Sequence, residues 1–119
     1  VPDEKEVTVK LPNGDQAMVE IEKLKVYCLN PEHPRGRHKA RVFLSALGLS
    51  ALAAEELKEA LLAAAKEVEA EPGVSDLYGT RYVIDFQMNR SARMAWIRSS
   101  WIVRHDQTTP RFVTCYVLR

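Results

Sequence analysis

Chemistry that announces itself in a sequence is scarce here. Only two cysteines, Cys28 and Cys115, occur in 119 residues, and without C-x-x-C spacing they offer neither a zinc-ligand pair nor a dithiol redox motif. They are expected to be buried thiols in a reducing compartment. The three histidines, His33, His38 and His105, make no H-x-x-x-H or H-E-x-x-H pair, so no metal and no other cofactor is expected. A Gly-rich phosphate loop and a nucleophile elbow are missing too. Apolar runs such as Ala60 to Ala65 fall far short of the roughly 20 residues that a membrane helix needs. The start, Val1-Pro2-Asp3-Glu4-Lys5-Glu6, has neither the basic nor the apolar part of a secretory signal, which makes the cytoplasm the expected compartment. Because it also lacks an initiator Met, the chain is expected to have been trimmed or excised from a longer one.

What remains is a length and a charge pattern. The size and composition suit a single soluble domain over 1–119 that hides about two thirds of its unfolded surface without a disulfide or metal. Net charge is +1, yet this is a cancellation between blocks. Residues 33–54 carry four bases and no acid, residues 55–79 carry seven acids against two Lys, and residues 80–119 carry seven Arg against two Asp. Segregation of this kind points to an anionic partner for the basic parts.

Periodicity places the elements. Val7 to Leu11 and Ala17 to Ile21 flank Pro12-Asn13-Gly14-Asp15, and Asn-Gly predicts a β-hairpin over about 7–21. Ile21, Leu24, Tyr27 and Cys28 have the spacing of a short helix, ended by Asn30-Pro31. A helix is predicted over Arg37 to Leu47, with Gly48 as its stop. Ser50 then caps a longer one to about Ala70, with Leu52, Leu57, Leu61, Leu62, Ala65 and Val68 available for burial and Glu71-Pro72-Gly73 ending it. Three alternating runs follow over about 80–118. Tyr82, Ile84 and Phe86 share one face; Phe112, Thr114, Tyr116 and Leu118 share another; and Trp96 and Trp101, on opposite faces of one run, suggest a bulge near Ser99-Ser100. The predicted class is α+β, with an N-terminal hairpin (about 7–21) and helices (about 22–71) packed on a C-terminal antiparallel β-meander.

The densest polar segment is Asn30 to Arg41, where His33, Arg35, Arg37, His38, Lys39 and Arg41 crowd a Pro- and Gly-containing loop and the start of a helix. Cations disfavour a helix N-terminus, so their presence there suits an anionic ligand such as phosphate, although a solvated basic loop is the plain alternative. Lys39 shares a helix side with Phe43 and is expected to reach toward the sheet. In the meander, Arg98, Thr114 and Tyr116 can share a face that clamps phosphate oxygens. Arg81 and Arg111 add charge, and Trp101 and Trp96 are candidates for stacking on bases, with core packing as their plain alternative.

The segments Tyr27 to Phe43, Tyr78 to Tyr82, Trp101 to Val103 and Pro110 to Tyr116 resemble an uncharacterised bacterial domain family common in cyanobacteria. Its H-P-x-G-x-x-K-A-x-x-F pattern is met by His33, Pro34, Gly36, Lys39, Ala40 and Phe43. His38 lies outside that pattern, which shifts the expected catalytic imidazole to His33. Helices carrying His and Lys followed by a meander with Arg and a Thr-x-Tyr ending are similar, in turn, to the BECR group of toxin ribonucleases, which takes in barnase, EndoU, colicins and RelE. That similarity implies a BECR-like fold and metal-independent cleavage of RNA, with catalysis by His33, Lys39, Arg98, Thr114 and Tyr116. It assigns RNA contacts to Arg35, Arg37, His38, Arg41, Arg81, Trp101 and Arg111, and implies a small cognate antitoxin as partner. A protein- or nucleic-acid-binding module without catalysis, or an inactive regulatory homologue, is the competing expectation.

Overall fold

The computed structural model describes residues 9–118. It is an α+β structure in which five antiparallel strands lie in chain order, β1 to β5, with helices across one face. The strands are β1 (Val9–Lys10), β2 (Glu69–Ser75), β3 (Gly79–Arg90), β4 (Arg93–Arg104) and β5 (Arg111–Val117). The helices are α1 (Arg37–Leu47) and α2 (Ala54–Glu67), preceded by a π-helical turn over Lys23–Cys28. Among the described residues, no helix is long and apolar enough to cross a membrane.

The sheet is built on the long β3–β4 hairpin, whose register runs unbroken from Gly79 opposite Arg104 to Arg90 opposite Arg93. Alternation then sorts the side chains. Ile84, Phe86 and Met88 of β3 and Ala95, Ile97, Ser99 and Trp101 of β4 are buried against the helices, joined by Cys115 and Val117 of β5. Leu24, Cys28, Phe43, Leu47, Leu57 and Leu61 complete that core. The opposite sheet face carries Arg81 and Asp85 of β3 and Trp96, Arg98, Ser100 and Arg104 of β4, and it is open.

Helix α1 occupies the residues its periodicity predicts, and Gly48 ends it in a left-handed conformation (φ 63°) that a glycine adopts without steric cost. Elsewhere expectations and structure part. No hairpin forms around Asn13-Gly14: Asn13 is left-handed, Gly14–Gln16 make a 3₁₀ turn, and Val9–Lys10 pair with Ala70 and Glu69 of β2. Residues 7 and 8 of the expected hairpin lie outside the described residues. Ala17 to Ile21 contribute only a bridge from Met18 to Arg111. Local turn chemistry was read correctly as a turn, but the partner of the first strand is distant in sequence.

The second helix is shorter than predicted. Ser50 accepts a hydrogen bond from the Leu52 amide at the head of a 3₁₀ turn over Ala51–Ala53, α2 follows, and it stops at Glu67. The rest of the expected helix, with Glu71-Pro72-Gly73, forms β2 instead, so the predicted helical part overruns a strand. Pro72 still pairs in register opposite Tyr82, and the pairing becomes irregular between Pro72 and Ser75. Leu52, expected to be available for burial, is 100% exposed.

The bulge expected near Ser99-Ser100 falls there, but on the neighbouring strand. Ser100 pairs with Thr114 and Trp101 with Phe112, which leaves Val113 as the extra residue of β5. One inserted residue shifts side-chain alternation by one. Phe112 consequently turns into the core, while Thr114 and Tyr116 stay on the open side opposite Ser100 and Arg98.

Candidate functional site

The π-helical turn shapes one side of the site. Leu29 donates to the Leu24 carbonyl at 2.8 Å, an i to i+5 bond, and this winding sends Leu24 and Cys28 into the core while Tyr27 faces the following loop. Asn30 closes the turn by donating to Val26 O and accepting from the Glu32 amide. The loop then folds back onto Tyr27. An added Cβ at Gly36 would lie 2.2 Å from the Tyr27 carbonyl oxygen, so only glycine allows this approach.

His33 holds the loop together. Its Nδ1 accepts hydrogen bonds from the amides of Arg35 and Gly36, both at 3.0 Å, and its ring packs edge-on against Tyr27 at 4.8 Å between centroids. An Nδ1 that accepts two N–H groups places the ring proton of the neutral form on Nε2. No nitrogen lone pair then remains for taking a proton from a substrate, so the base role expected of His33 does not fit this geometry. The side chain serves the fold of the loop.

Lys39 is the centre of the cluster. Its ammonium donates to Tyr27 Oη at 3.3 Å and to Thr114 Oγ1 at 3.4 Å, and it lies 5.1 Å and 5.5 Å from the ring centroids of Tyr27 and Tyr116. Thus the π-helical turn and β5 each place a polar group around the cation that α1 supplies. The open sheet face continues the series. Arg98, directly opposite Tyr116, donates through Nε and Nη2 to both Asp85 carboxylate oxygens at 2.8 Å. Asp85 and, secondarily, Tyr116 push the Arg98 guanidinium further toward the charged form. Its Nη1 takes no part in that pair. His38, Lys39, Val42, Tyr116 and Val117 line a cavity of about 240 Å³ beside this cluster.

Beneath Lys39 lies a thiol pair. Cys28 and Cys115 are both buried and adjacent, and Cys28 Sγ sits 3.8 Å from Thr114 Oγ1. Hydrogen bonds from Cys115 hold the Cys28 thiol down at about 6, aided by Thr114 and the charge of Lys39, while burial pushes Cys115 upward. Both cysteines are free.

The remaining expected contacts divide. Arg35, Arg37 and Arg41 are exposed on the loop and α1. Arg81 and Arg111 are on the open sheet face, both opposite Ile102, away from Lys39. Trp101 is 0% exposed, donates from Nε1 to Ser99 Oγ at 2.9 Å and packs edge-on against Phe112, so it cannot stack on a base. Its expected RNA contact is corrected to a core role. Trp96, at 46% exposure, holds the open face instead.

A family model for a domain of unknown function, DUF6883, matches residues 10–119. The chain belongs to the DUF6883 family. This agrees with the expectation of an uncharacterised domain family, and it covers every residue of the Lys39 cluster. No curated protein matches the DUF6883 chain, and no solved structure does. Three participants in the cluster escaped the sequence reading of this domain: Tyr27, Cys28 and Asp85. Tyr27 and Cys28 were read as helix-face residues, whose approach to Lys39 needs the loop to fold back. Asp85 alternates away from the core, but its pairing with Arg98 requires the register of β3 and β4.

Proposed function

We propose that this domain is a metal-independent endoribonuclease of BECR-like type, acting in the cleft between α1 and the β5 side of the sheet. The observation that carries the reading is the convergence of Lys39, Thr114, Tyr116 and Arg98 beside the cavity lined by His38. These groups match the demands of transesterification. An RNA 2′-oxygen attacks phosphorus, its proton passes to an imidazole, and the bond to the 5′-oxygen breaks as that oxygen gains a proton, leaving a 2′,3′-cyclic phosphate. His38 takes the base role, because it lines the cavity shared by Lys39 and Tyr116 and is not engaged by the loop as His33 is. Lys39 and the Nη1 edge of Arg98 stabilise the extra negative charge of the crowded phosphate. Thr114 orients the phosphate, and Tyr116 supplies the proton to the leaving oxygen. Asp85, gripped by Arg98, holds that guanidinium in place. A small antitoxin protein would inhibit by covering this cleft.

One observation favours a second reading, a phosphate-binding module without catalysis: Asp85 already neutralises Arg98. Incubating purified protein with total RNA in EDTA and mapping the ends separates the two. Cleavage with cyclic phosphate ends, reduced about 100-fold or more in His38→Ala and in Lys39→Ala, is the expected result. Intact RNA with the native protein, or equal cleavage by Lys39→Ala, overturns the ribonuclease reading and leaves the binding one.

A further inference from the structure

At the other end of the open sheet face lies a second cationic site. Arg81 of β3 and Arg111 of β5 flank Ile102 of β4 from either side, and Arg104 follows two residues later on the same face. Lys23 reaches them from the π-helical turn, anchored by donating to the Phe112 carbonyl at 2.9 Å. With Glu20, Tyr78, Ile102 and Val113 these four cations line a cavity of about 580 Å³.

The acids there are too few and too exposed to satisfy that charge. Glu20 approaches Lys23 only to 3.9 Å, and Asp76 approaches Arg81 to 3.5 Å. Arg111 donates to the neutral Gln107 side chain. Arg104 has no ion-pair partner among the described residues. Tyr78 is 68% exposed at the rim, a flat ring available to a ligand. Cations that repel one another while facing a common void are stabilised when an anion fills it.

We propose that this pocket is a second phosphodiester site for single-stranded RNA, with Lys23, Arg81, Arg104 and Arg111 on the backbone and Tyr78 stacking on a base. The assignment rests on the reading of the Lys39 cleft as an RNA site and extends it. Arg98, Thr114 and Tyr116 of the Lys39 site share the open sheet face with this pocket, since residues 98, 100, 102 and 104 of β4 alternate onto it. Arg98 and Arg104 are six residues apart, about 20 Å along a strand, a span that one extended strand of several nucleotides covers. Val83, Ser100 and Thr114 form the neutral row between them, with Glu71 of β2 at its outer end beyond Val83. Exposed Trp96 and Tyr78 bracket the track with aromatic rings, as sequence-tolerant single-strand binding uses them.

The test is binding of fluorescein-labelled 2′-O-methyl oligouridylates of 4 and 12 nucleotides, which lack the attacking 2′-hydroxyl, followed by anisotropy with the native protein, Arg104→Ser and Arg81→Ser/Arg104→Ser. The 12-mer should bind at least tenfold more tightly than the 4-mer. The double variant should lose that advantage, and its salt dependence should flatten by roughly 0.7 in log–log slope per phosphate contact removed. Arg104→Ser alters an exposed side chain without an ion pair, so a folding defect does not obscure its result. Undiminished 12-mer binding by the double variant overturns the proposal, as does displacement of the 12-mer by polyglutamate at equal charge concentration, which would indicate an acidic protein partner. Binding read this way is separate from cleavage. Lost length dependence with intact RNA in the cleavage assay supports the track and removes the catalytic reading; retained cleavage with length-independent binding does the reverse.

Discussion

Cys28 is a buried thiol drawn well below the usual thiol range. Cys28 is drawn down to about 6 chiefly by its hydrogen bonds with Cys115, while Cys115 moves up, so the pair releases its first proton early and its second late. A folded-state value below the unfolded one stabilises the fold above the unfolded thiol value, and that contribution is lost as pH falls toward 6. Chemical denaturation from pH 6 to 9 should therefore show stability rising with pH relative to Cys28→Ser. A parallel pH dependence in the two proteins would contradict the thiolate assignment. His33 makes a contrasting prediction. Removing its Nδ1 leaves two loop amides without their acceptor, so His33→Ala should lower the melting temperature, whereas His38→Ala should leave melting unchanged and act on cleavage alone.

The elements meet at a few clamps. Arg90, at the end of β3, donates to both Glu56 carboxylate oxygens at 3.0 and 3.1 Å and to the Leu47 and Gly48 carbonyls at the end of α1. One guanidinium thus ties the β3–β4 hairpin to the C-terminus of α1 and the first turn of α2. Hydrogen bonds from Arg90, and secondarily its charge, keep the Glu56 carboxyl below its usual range. Lysine cannot reproduce this fork, so Arg90→Lys should lower the melting temperature by a few degrees, and a melting curve identical to that of the native protein would show the clamp to be idle. Gly36 is a clamp of another kind. Because a Cβ there would meet the Tyr27 carbonyl at 2.2 Å, Gly36→Ala should cost about 1–3 kcal/mol in denaturant unfolding. It should also displace Tyr27 from Lys39.

Across the protein, charge is clustered. Acidic residues such as Glu55, Glu56 and Glu59 sit on α2, behind the core, while Arg81, Arg98, Arg104 and Arg111 populate the open face of the sheet. The net charge of +1 conceals these locally cationic surfaces, and association with an anionic polymer should weaken steeply with added salt although the protein is nearly neutral. Titrating oligouridylate binding between 50 and 200 mM salt checks this, and a flat response would remove the polymer as a ligand.

Much of this was legible in the chain. Period-3.6 patterning with Gly48 behind it located α1, and period-2 patterning located the β3–β4–β5 meander, because both signals arise from which side of a single element is buried. The two tryptophans on opposite faces of β4 were visible for the same reason. Local pattern could not reveal that Val9 pairs with Ala70, that Glu71-Pro72-Gly73 is strand, or that Val113 is the extra residue that turns Phe112 inward, since each is settled by a partner strand remote in sequence. The site divides along the same line. Lys39, Arg98, Thr114 and Tyr116 are readable as candidates from residue type and alternation, whereas the meeting of Lys39 with Tyr27 and Thr114, the capture of Arg98 by Asp85 and the use of His33 as a loop acceptor depend on long-range packing. Periodicity records how each segment faces water; only the folded chain, by closing loops between distant segments, decides which of those faces meet.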